Sequence, residues 1–488
     1  MKKKNLNHSI YVLVFMMCVG LLSYICLYKL GVGEINDWDE ARHGVSGYEM
    51  LKNKEWIVTT YNGVVDYWNL KPPLSEYFIT LGYKLFGFNP LGMRLYSAIA
   101  MIVTAVVSAL FAYKYIGKSA SLFVLVSYAA AVQLVSYHGA RAGDADSLYV
   151  MFYAFAVLFL IISEEKEWTL YLSCLSFSLA FLTKSWHAGT IAIFIGMYLV
   201  CTKRIFRFSL KNWILCFVSA VGPIAIWAGL RFAHDGTAFF VEMVEYDLLN
   251  RSSSALEGHV GHVWYYAKYL LSAKSFWGLF IMSVVGLVYG YIQKNDEKIR
   301  KMISVLILSI LVPFLLFSMA KTKLSWYVFC IYPPLIILGS YGVEKMVIGL
   351  KKDQKKIYKI CIMIVTFIFI CIGIAGNIVS VTRKTASDSF SEEMFSLLKR
   401  NDLYSGITLY RNISEEKESW RQSEVLAVEL AGDMKPENGE LLSWYEDLDA
   451  YLITTEDLLL EVNCGYEVVN KIENKYVLKH KEAAKDEM

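Results

Sequence analysis

The sequence predicts an α-helical polytopic membrane protein followed by a small α/β domain, and its composition and apolar runs are the main evidence. Of 488 residues, 56% are hydrophobic and 19% are charged, whereas soluble chains usually have about 45–50% apolar and about 25% charged residues. The apolar residues fall in long runs, as membrane-spanning helices require. The net charge of +3 is spread over the loops between these runs, which does not indicate a nucleic-acid-binding patch.

The apolar runs predict about eleven membrane-spanning helices, since roughly 20 apolar residues in a helix cross the hydrocarbon. The first run exceeds the apolar core of a secretory signal, about 7–15 residues, and therefore predicts a membrane helix. The fifth and sixth runs are short, and partly re-entrant segments are the alternative there. The runs lie near 9–30, 91–113, 119–138, 147–163, 169–183, 187–201, 212–232, 275–292, 302–319, 325–342 and 357–380.

Lysine and arginine are unevenly distributed between the two sides of the predicted membrane domain. Cations in cytoplasmic loops usually outnumber those outside, which predicts a cytoplasmic N-terminus. The loops 31–90 and 233–274 and the tail 383–488 then lie outside the cytoplasm. The loop cations on the cytoplasmic side are Lys2, Lys3, Lys4, Lys114, Lys118, Lys166, Lys203, Arg204, Arg207, Lys211, Lys294, Lys298, Arg300, Lys301, Lys345, Lys351, Lys352, Lys355 and Lys356.

The same pattern predicts a membrane domain over 1–382 and an extracytoplasmic α/β domain over 383–488. In the first outer loop, apolar residues repeat at helical spacing from Leu74 to Phe86, which predicts a helix lying in the membrane interface. In the tail we expect strands at 406–413, 424–430, 450–454, 466–469 and 476–479, with helices near 390–400 and 456–462. The nine cysteines form no Cys-x-x-Cys pair, so we expect neither a disulfide framework nor a zinc site.

Two acidic clusters lie in the loops predicted to face outward. The first reads Asp37-Trp38-Asp39-Glu40-Ala41-Arg42, and the second reads His138-Gly139-Ala140-Arg141-Ala142-Gly143-Asp144-Ala145-Asp146. Charge is costly near hydrocarbon, so carboxylates at this depth are candidates for a functional site. Helix capping by Asp39 and Asp146 is the alternative interpretation.

Cationic motifs occupy the same predicted face. Lys71 precedes Pro72-Pro73, which forms a rigid turn suited to a lipid phosphate, with snorkelling of the lysine as the alternative. Lys184, Lys321 and Lys323 lie in short outward loops and run against the positive-inside bias. The second long loop contains His259 and His262, but zinc sites need three or four protein ligands and no third one lies close by.

In this order the motifs resemble the GT-C glycosyltransferases, near the lipid A aminoarabinose transferases and the protein O-mannosyltransferases. The resemblance extends over about 10–338. Asp39-Glu40-Ala41-Arg42 resembles the acidic first-loop motif of that family, Lys71-Pro72-Pro73-Leu74 its Lys-Pro-Pro-Leu turn, and the segment 140–146 its second acidic loop.

Three later segments extend the resemblance. Leu182-Thr183-Lys184 matches a Leu-Thr-Lys-Gly motif, although Ser185 replaces the glycine. The segments 245–251 and 259–266 resemble the part that closes over the donor. Lys321-Thr322-Lys323-Leu324 with Tyr332-Pro333-Pro334 resembles the late lysine and proline motif.

The resemblance implies a GT-C fold and an inverting transfer from a polyprenyl-phosphate-linked sugar to an envelope lipid, glycan or protein. It implies catalytic roles for Asp39, Glu40, Asp144 and Asp146. It implies donor-phosphate binding by Arg42, Lys71, Lys184, Arg251, Lys321 and Lys323. It implies that Glu245, His259 and Tyr265 belong to the closing loop. No metal ligands are assigned, and a divalent metal stays open as a cofactor.

Physical chemistry agrees with this interpretation. Nucleotide sugars are absent outside the cytoplasm, so a transferase there needs a membrane-tethered donor. A phosphate leaving group requires cations more than a general acid, and one carboxylate suffices to deprotonate the acceptor. The alternatives are a secondary transporter or lipid flippase, and a non-catalytic envelope assembly protein. A transporter usually carries its charges near the membrane midplane on broken, repeated helices, whereas here they gather at the outer boundary.

Overall fold

The computed structural model describes residues 2–254, 258–352, 356–383, 390–398, 404–413, 420–439, 441–472 and 474–481. The α-helices are α1 Lys2–Leu27, α2 Asp39–Asn53, α3 Leu74–Phe86, α4 Pro90–Tyr115, α5 Lys118–Ala130, α6 Val132–Val135, α7 Asp146–Ile162, α8 Thr169–Lys184, α9 Gly189–Cys201, α10 Leu210–Asp235, α11 Ala238–Glu242, α12 Arg251–Ser253, α13 Tyr265–Ser272, α14 Lys274–Ile292, α15 Glu297–Met319, α16 Tyr332–Lys352, α17 Ile357–Thr382, α18 Phe390–Leu398, α19 Gln422–Gly432 and α20 Leu441–Glu446.

Shorter helical turns and seven strands complete the described structure. The 3₁₀ segments are Ser185–Ala188, Ile205–Arg207, Ser325–Ile331 and Glu456–Glu461, and a π-helical segment covers Met243–Asn250. The strands are β1 Thr60–Tyr61, β2 Val64–Val65, β3 Thr408–Asn412, β4 Lys435–Pro436, β5 Tyr451–Thr455, β6 Tyr466–Ile472 and β7 Lys475–His480.

Each predicted span coincides with helical structure. Within the described residues, seven helices are long and apolar enough to cross a membrane, and α5 and α7 are shorter apolar helices. The short fifth and sixth runs form α8 and α9, which a 3₁₀ turn at Ser185–Ala188 connects. The seven long helices contain the segments His8–Leu27, Pro90–Tyr115, Leu210–Asp235, Lys274–Ile292, Glu297–Met319, Ser325–Leu350 and Ile357–Thr382.

The chain forms two compact units. The helical unit comprises Met1–Lys29, Tyr67–Ser75 and Leu95–Arg383, and the α/β unit comprises Leu30–Asp66, Glu76–Arg94 and Lys384–Met488. The last junction, at Arg383, lies beside the predicted boundary between 382 and 383. Two segments of the first loop join the C-terminal residues in one unit, and the assignment of 1–382 and 383–488 as domains stays a prediction.

Small residues allow close helix packing in the helical unit. An added Cβ at Gly286 of α14 would collide with the carbonyl oxygen of Leu338, and one at Gly342 of α16 with that of Met282. Glycines at such positions let two backbones approach within van der Waals contact, a common device in membrane helix pairs. The helices α14 and α16 therefore pack with their backbones close together at these two glycines.

The α/β unit contains a five-stranded sheet in the order β4-β3-β5-β7-β6. Strand β3 pairs in parallel with β4 and β5, and β7 pairs antiparallel with β5 and β6. The sheet packs around buried Trp444, Leu452 and Leu478. The helix predicted near 390–400 is present as α18, and the segment 456–461 is 3₁₀.

The strand predicted at 424–430 is wrong, because this segment belongs to α19. The valines at 425 and 428 favour a strand by propensity, but a capping interaction starts a helix here. The backbone N–H of Arg421 donates to Glu424 Oε2 at 2.9 Å, as in a capping box. Leu426 of this helix packs against Gly44 of α2, so tertiary burial outweighs β propensity.

Candidate active site

Glu40 anchors the first turn of α2 in the α/β unit. Its side chain is buried, and Arg94 Nε donates to Glu40 Oε1 at 2.6 Å. The backbone N–H of Asn36 donates to Glu40 Oε2 at 2.9 Å. The predicted catalytic residue Glu40 therefore holds the loop that precedes α2 against the start of α4.

Asp37 and Arg42 also have partners within the α/β unit. Asp37 Oδ1 accepts a hydrogen bond from the backbone N–H of Ser423 at 2.9 Å, where a carboxylate stabilises the N-terminus of α19. Arg42 donates two hydrogen bonds to Asp66, both at 2.8 Å, and its guanidinium lies 4.1 Å from the centroid of the Tyr61 ring.

Asp39 is the first residue of α2 and is partly exposed. The N-cap position is occupied by Trp38, with φ of 68°, and the cap forms no side-chain hydrogen bond. Asp39 is therefore not the N-cap of α2, which the alternative interpretation of this motif required.

The second acidic loop forms a buried charged cluster in the helical unit. Asp144 Oδ2 contacts His138 Nδ1, and Asp146 Oδ2 lies 3.9 Å from the same nitrogen. Asp146 Oδ1 accepts a hydrogen bond from Lys184 Nζ. The His138 ring also stacks on Trp326, with centroids 3.6 Å apart. The structure thus brings the predicted residues Asp144, Asp146 and Lys184 together.

Asp146 is likewise not an N-cap, since Ala145 occupies the cap position of α7 and Asp146 is the first helical residue. Its carboxylate balances Lys184, and both side chains are almost fully buried. A buried charge without a partner is strongly destabilising. The ion pair therefore gives each of these two buried side chains a partner.

Arg251 belongs to a second ion pair of the helical unit. Its Nε lies 3.1 Å from Asp247 Oδ1, one helical turn away, and its Nη1 donates to the hydroxyl oxygen of Tyr327 at 3.3 Å. Asp247 also accepts from Ser185 Oγ at 3.2 Å. Lys184 Nζ lies 5.8 Å from the centroid of the Tyr327 ring. Tyr327 thus connects Lys184 with Arg251.

Two predicted phosphate-binding cations, Lys184 and Arg251, and the imidazole of His187 lie around Tyr327. His187 lies in the 3₁₀ turn between α8 and α9. Its ring centroid lies 4.4 Å from that of Tyr327, and its carbonyl oxygen accepts a hydrogen bond from the Tyr149 hydroxyl at 2.9 Å. Lys71 is oriented by a hydrogen bond to Asn69 Oδ1 at 3.1 Å. We call Lys184 and Arg251 the cation cluster.

Lys323 has a different environment from the cation cluster. Its ammonium donates to the carbonyl oxygens of Phe317 at 2.8 Å and Ser318 at 2.6 Å, and to that of Ala320. These groups lie at the end of α15, where a cation satisfies carbonyls that have no helical partner. Lys321 is exposed. The structure therefore gives Lys323 a helix-capping function.

The predicted closing segment is connected to the late lysine motif through the backbone. The Lys323 N–H donates to the His259 carbonyl at 3.1 Å, and Val260 pairs with Thr322. Glu245 and His259 are exposed. Tyr265 is partly buried, with its ring centroid 5.1 Å from that of Tyr266. Of the three side chains predicted for this segment, Glu245 and His259 are therefore exposed and Tyr265 is partly buried.

His138 and Asp144 of the helical unit belong to a group of side chains whose ligand atoms lie close enough together to hold a divalent cation. Imidazole and carboxylate ligands suit several such metals. The Lys184 ammonium already neutralises Asp146, so a cation that also bound Asp146 would have to share this carboxylate.

The sequence analysis assigns no function to His138, His187 or Tyr327, although His138 begins the second acidic cluster. His138 precedes the second acidic motif, His187 follows Lys184 by three residues, and Tyr327 follows Lys323 by four. Their positions beside cationic or acidic motifs are the feature of the sequence that could have indicated a function. Their contacts depend on how separate loops meet, and no local pattern encodes that.

Comparison with known proteins identifies the fold. ArnT from Cupriavidus metallidurans bound to undecaprenyl phosphate aligns with a TM-score of 0.69 over 97% of this chain and 98% of that chain, at 14% identity. The fold is the GT-C fold. The apo state of the same ArnT gives a TM-score of 0.68, with coverage of 98% and 99%. The fold class predicted from the sequence is confirmed.

Sequence comparison supports the same resemblance. A family described as dolichyl-phosphate-mannose-protein mannosyltransferase matches residues 70–227. An undecaprenyl phosphate-alpha-4-amino-4-deoxy-L-arabinose arabinosyl transferase from Shewanella sediminis is 24% identical over 70% of this chain and 61% of its own length. An uncharacterized protein from Aquifex aeolicus is 27% identical over 35% of this chain and 34% of its own length. The chain thus matches less than two thirds of either relative, and the similarity to GT-C glycosyltransferases is confirmed.

Proposed function

We propose that the protein is an inverting glycosyltransferase that moves a sugar from a polyprenyl-phosphate-linked donor to a hydroxyl group of an envelope acceptor. The acceptor is a lipid, a glycan or a protein, and the reaction takes place on the outer face of the membrane. The observation that carries this proposal is the contact of two cations, Lys184 and Arg251, with the same residue, Tyr327.

The cation cluster suits a phosphate leaving group. Preorganised cations stabilise charge that develops in a transition state, and charge-assisted hydrogen bonds to phosphate are strong. Asp146 and Asp247 hold Lys184 and Arg251 in place. The hydroxyl of Tyr327, next to Arg251, offers a further donor to the same phosphate.

The proposed reaction is a single displacement. The acceptor oxygen attacks the anomeric carbon as the bond from this carbon to the phosphate oxygen breaks. The polyprenyl phosphate leaves with both electrons, and the acceptor proton passes to a carboxylate base. Attack opposite the leaving group inverts the anomeric configuration, as the family resemblance implies.

We assign the base to Asp39. The resemblance of Asp39-Glu40-Ala41-Arg42 to the acidic first-loop motif of the GT-C glycosyltransferases supports this assignment. Asp39 is partly exposed, and the sequence predicts that it follows the first span on the outer side. Asp144 and Asp146 then position His138 and Lys184, and Arg42 supports α2 through Asp66.

Sidedness is part of the proposal. The lysine and arginine bias supports a multi-pass protein with a cytoplasmic N-terminus and an extracytoplasmic tail. The names of the arabinosyl transferase relatives support undecaprenyl phosphate as the lipid part of the donor. The sugar and the acceptor stay open.

Acceptor-dependent release of polyprenyl phosphate tests the proposal against the transporter alternative. The purified chain in detergent would be incubated with an undecaprenyl-phosphate-linked sugar, with and without envelope lipids, glycans or proteins. A transferase releases undecaprenyl phosphate only when an acceptor is present. Movement of the intact donor across vesicles by a folded protein, without release in any acceptor mixture, would favour the transporter or flippase.

A further inference from the structure

A charged cavity lies at the end of the helical unit that is opposite to Asp146. Helix α7 begins at Asp146 and ends at Ile162, and α15 runs from Glu297 back towards Lys321. The cavity has a volume of about 550 Å³ and lies between the C-terminal end of α9 and the N-terminal half of α15, next to the 3₁₀ turn Ile205–Arg207. It is separate from the cation cluster.

The charged residues that line this cavity are four cations and two carboxylates. Glu164 receives hydrogen bonds or ion pairs from Arg204 at 3.0 Å and Lys301 at 2.8 Å, and Lys301 also lies 2.8 Å from Glu297. Both carboxylates of the cavity are therefore paired with cations. The two further cations lining the cavity are Arg207 and Arg300.

Arg207 and Arg300 are exposed, and no ion pair joins either guanidinium to another residue in the described part of the chain. With four cations and two carboxylates, the cavity has an excess of two positive charges. Guanidinium groups recognise phosphate through paired hydrogen bonds. The excess positive charge therefore favours the binding of a phosphate-bearing ligand.

The surroundings of Arg207 indicate membrane headgroup depth. Phe206 and Leu210 are 78% and 75% exposed, and Trp213 is also exposed. Exposed aromatic and apolar side chains next to arginine are typical of the membrane–water interface. Leu308 of the apolar helix α15 lines the same cavity, so an apolar chain could pass from the charged end along the bundle.

We propose that this cavity binds the headgroup of an anionic membrane phospholipid, with its phosphodiester between Arg207 and Arg300. The acyl chains then lie along the apolar surface beside Leu308. Basic cavities between membrane helices recognise anionic headgroups in this way. The apolar surface beside Leu308 favours a lipid over a soluble phosphate, because a soluble phosphate has no apolar part to contact it.

Lipid retention by the purified full-length chain tests this proposal. Native mass spectrometry would compare the wild type with the double variant Arg207→Gln/Arg300→Gln after incubation with phosphatidylglycerol or phosphatidylcholine. The wild type is expected to retain phosphatidylglycerol preferentially, and the double variant to bind it at least about tenfold more weakly. Both arginines are exposed, so the variant should fold, which thermal unfolding would check.

The matched control is Lys203→Gln/Lys294→Gln, which removes two exposed cations from the same predicted side without changing a residue that lines the cavity. This control is expected to retain the lipid like the wild type. Equal losses in the two double variants, or equal retention of phosphatidylcholine by the wild type, would overturn the proposal. Full displacement of the lipid by inorganic phosphate at millimolar concentration would point to a soluble anion instead.

Discussion

Asp37 and Glu40 lie within two residues of Asp39, and each has a structural function in the α/β unit. Glu40 is paired with Arg94, and Asp37 accepts from the backbone of α19. Successive helix positions point in different directions, so a cluster of three carboxylates in the sequence becomes three distinct environments. General-base chemistry needs only one of them.

Asp39→Asn is expected to reduce sugar transfer by about 10²–10⁴, because an amide keeps the size of the side chain but cannot accept the acceptor proton. The thermal unfolding temperature should stay close to that of the wild type, because Asp39 does not cap α2. Transfer rate and unfolding of the same preparation would be measured. A folded Asp39→Asn variant with near wild-type turnover would move the base to Asp144 or Asp146.

Arg251→Gln is expected to lower the transfer rate by about 10²–10³, the usual loss when one preorganised electrostatic group is removed. The reason is that Arg251 is a member of the cation cluster and adjoins Tyr327. Lys268→Gln is the control, since Lys268 is exposed on α13 and belongs to no proposed site. Equal rates for the two variants would remove Arg251 from the proposed phosphate site.

At the scale of elements, α2 and α19 bring two carboxyl groups together inside the α/β unit. Glu49 and Glu429 are both buried, and Glu49 Oε1 accepts from the Gly63 N–H at 2.7 Å. Burial raises the pKa of both groups, and for Glu429 the nearby Glu49 raises the pKa further, well above its ordinary value. The positive charge of Lys52 opposes both shifts in part.

The other charged and titratable groups around Glu49 and Glu429 are expected to change their protonation little over the same pH range. Lys52 Nζ donates to Asp433 Oδ1 at 2.7 Å, and the pKa of Asp433 is lowered despite its burial, because Lys52 and two hydroxyl groups bind it. Burial raises the pKa of Tyr61 and Tyr83, so both phenols stay neutral. The carboxyl pair is therefore expected to dominate the pH dependence here.

Stability is expected to fall as the pH rises above about 4.5, the ordinary pKa of glutamic acid. A group with a raised folded-state pKa binds more protons in the folded than in the unfolded state, so its favourable contribution is lost as pH rises towards the folded-state pKa. Glu429→Gln should be more stable than the wild type at pH 8 and should show a weaker pH dependence. Thermal unfolding of the full chain at pH 5 and pH 8 measures both, and identical slopes would contradict the prediction.

The elements differ in how far the sequence could predict them. Membrane helices follow from hydropathy alone, so every predicted span coincides with helical structure. Helix α19 was missed because packing of Leu426 on Gly44 outweighs the β propensity of its valines. Lys323 was assigned to the phosphate because its motif is cationic, yet its side chain folds back onto the end of α15. Such contacts depend on the path of the chain beyond the motif.

At the scale of the whole molecule, we predict that the tail beyond Arg383 is extracytoplasmic. The prediction rests on the lysine and arginine bias of the loops and on the odd number of predicted spans. A reporter that is active only outside the cytoplasm, fused after Met488, should be active. Activity of a cytoplasm-only reporter at the same position would contradict the predicted orientation and with it the outward-facing site.

The most direct test of the proposed function is transfer of a labelled sugar from a lipid donor. The purified wild-type chain would receive the sugar either as a polyprenyl phosphate conjugate or as a nucleotide conjugate, with the same envelope acceptors, and the products would be analysed for label and anomeric configuration. We predict labelled acceptor with inverted configuration from the lipid conjugate alone. Labelled product from the nucleotide conjugate, or none from the lipid conjugate with a folded protein, would contradict the assignment of the cation cluster to a lipid-linked phosphate.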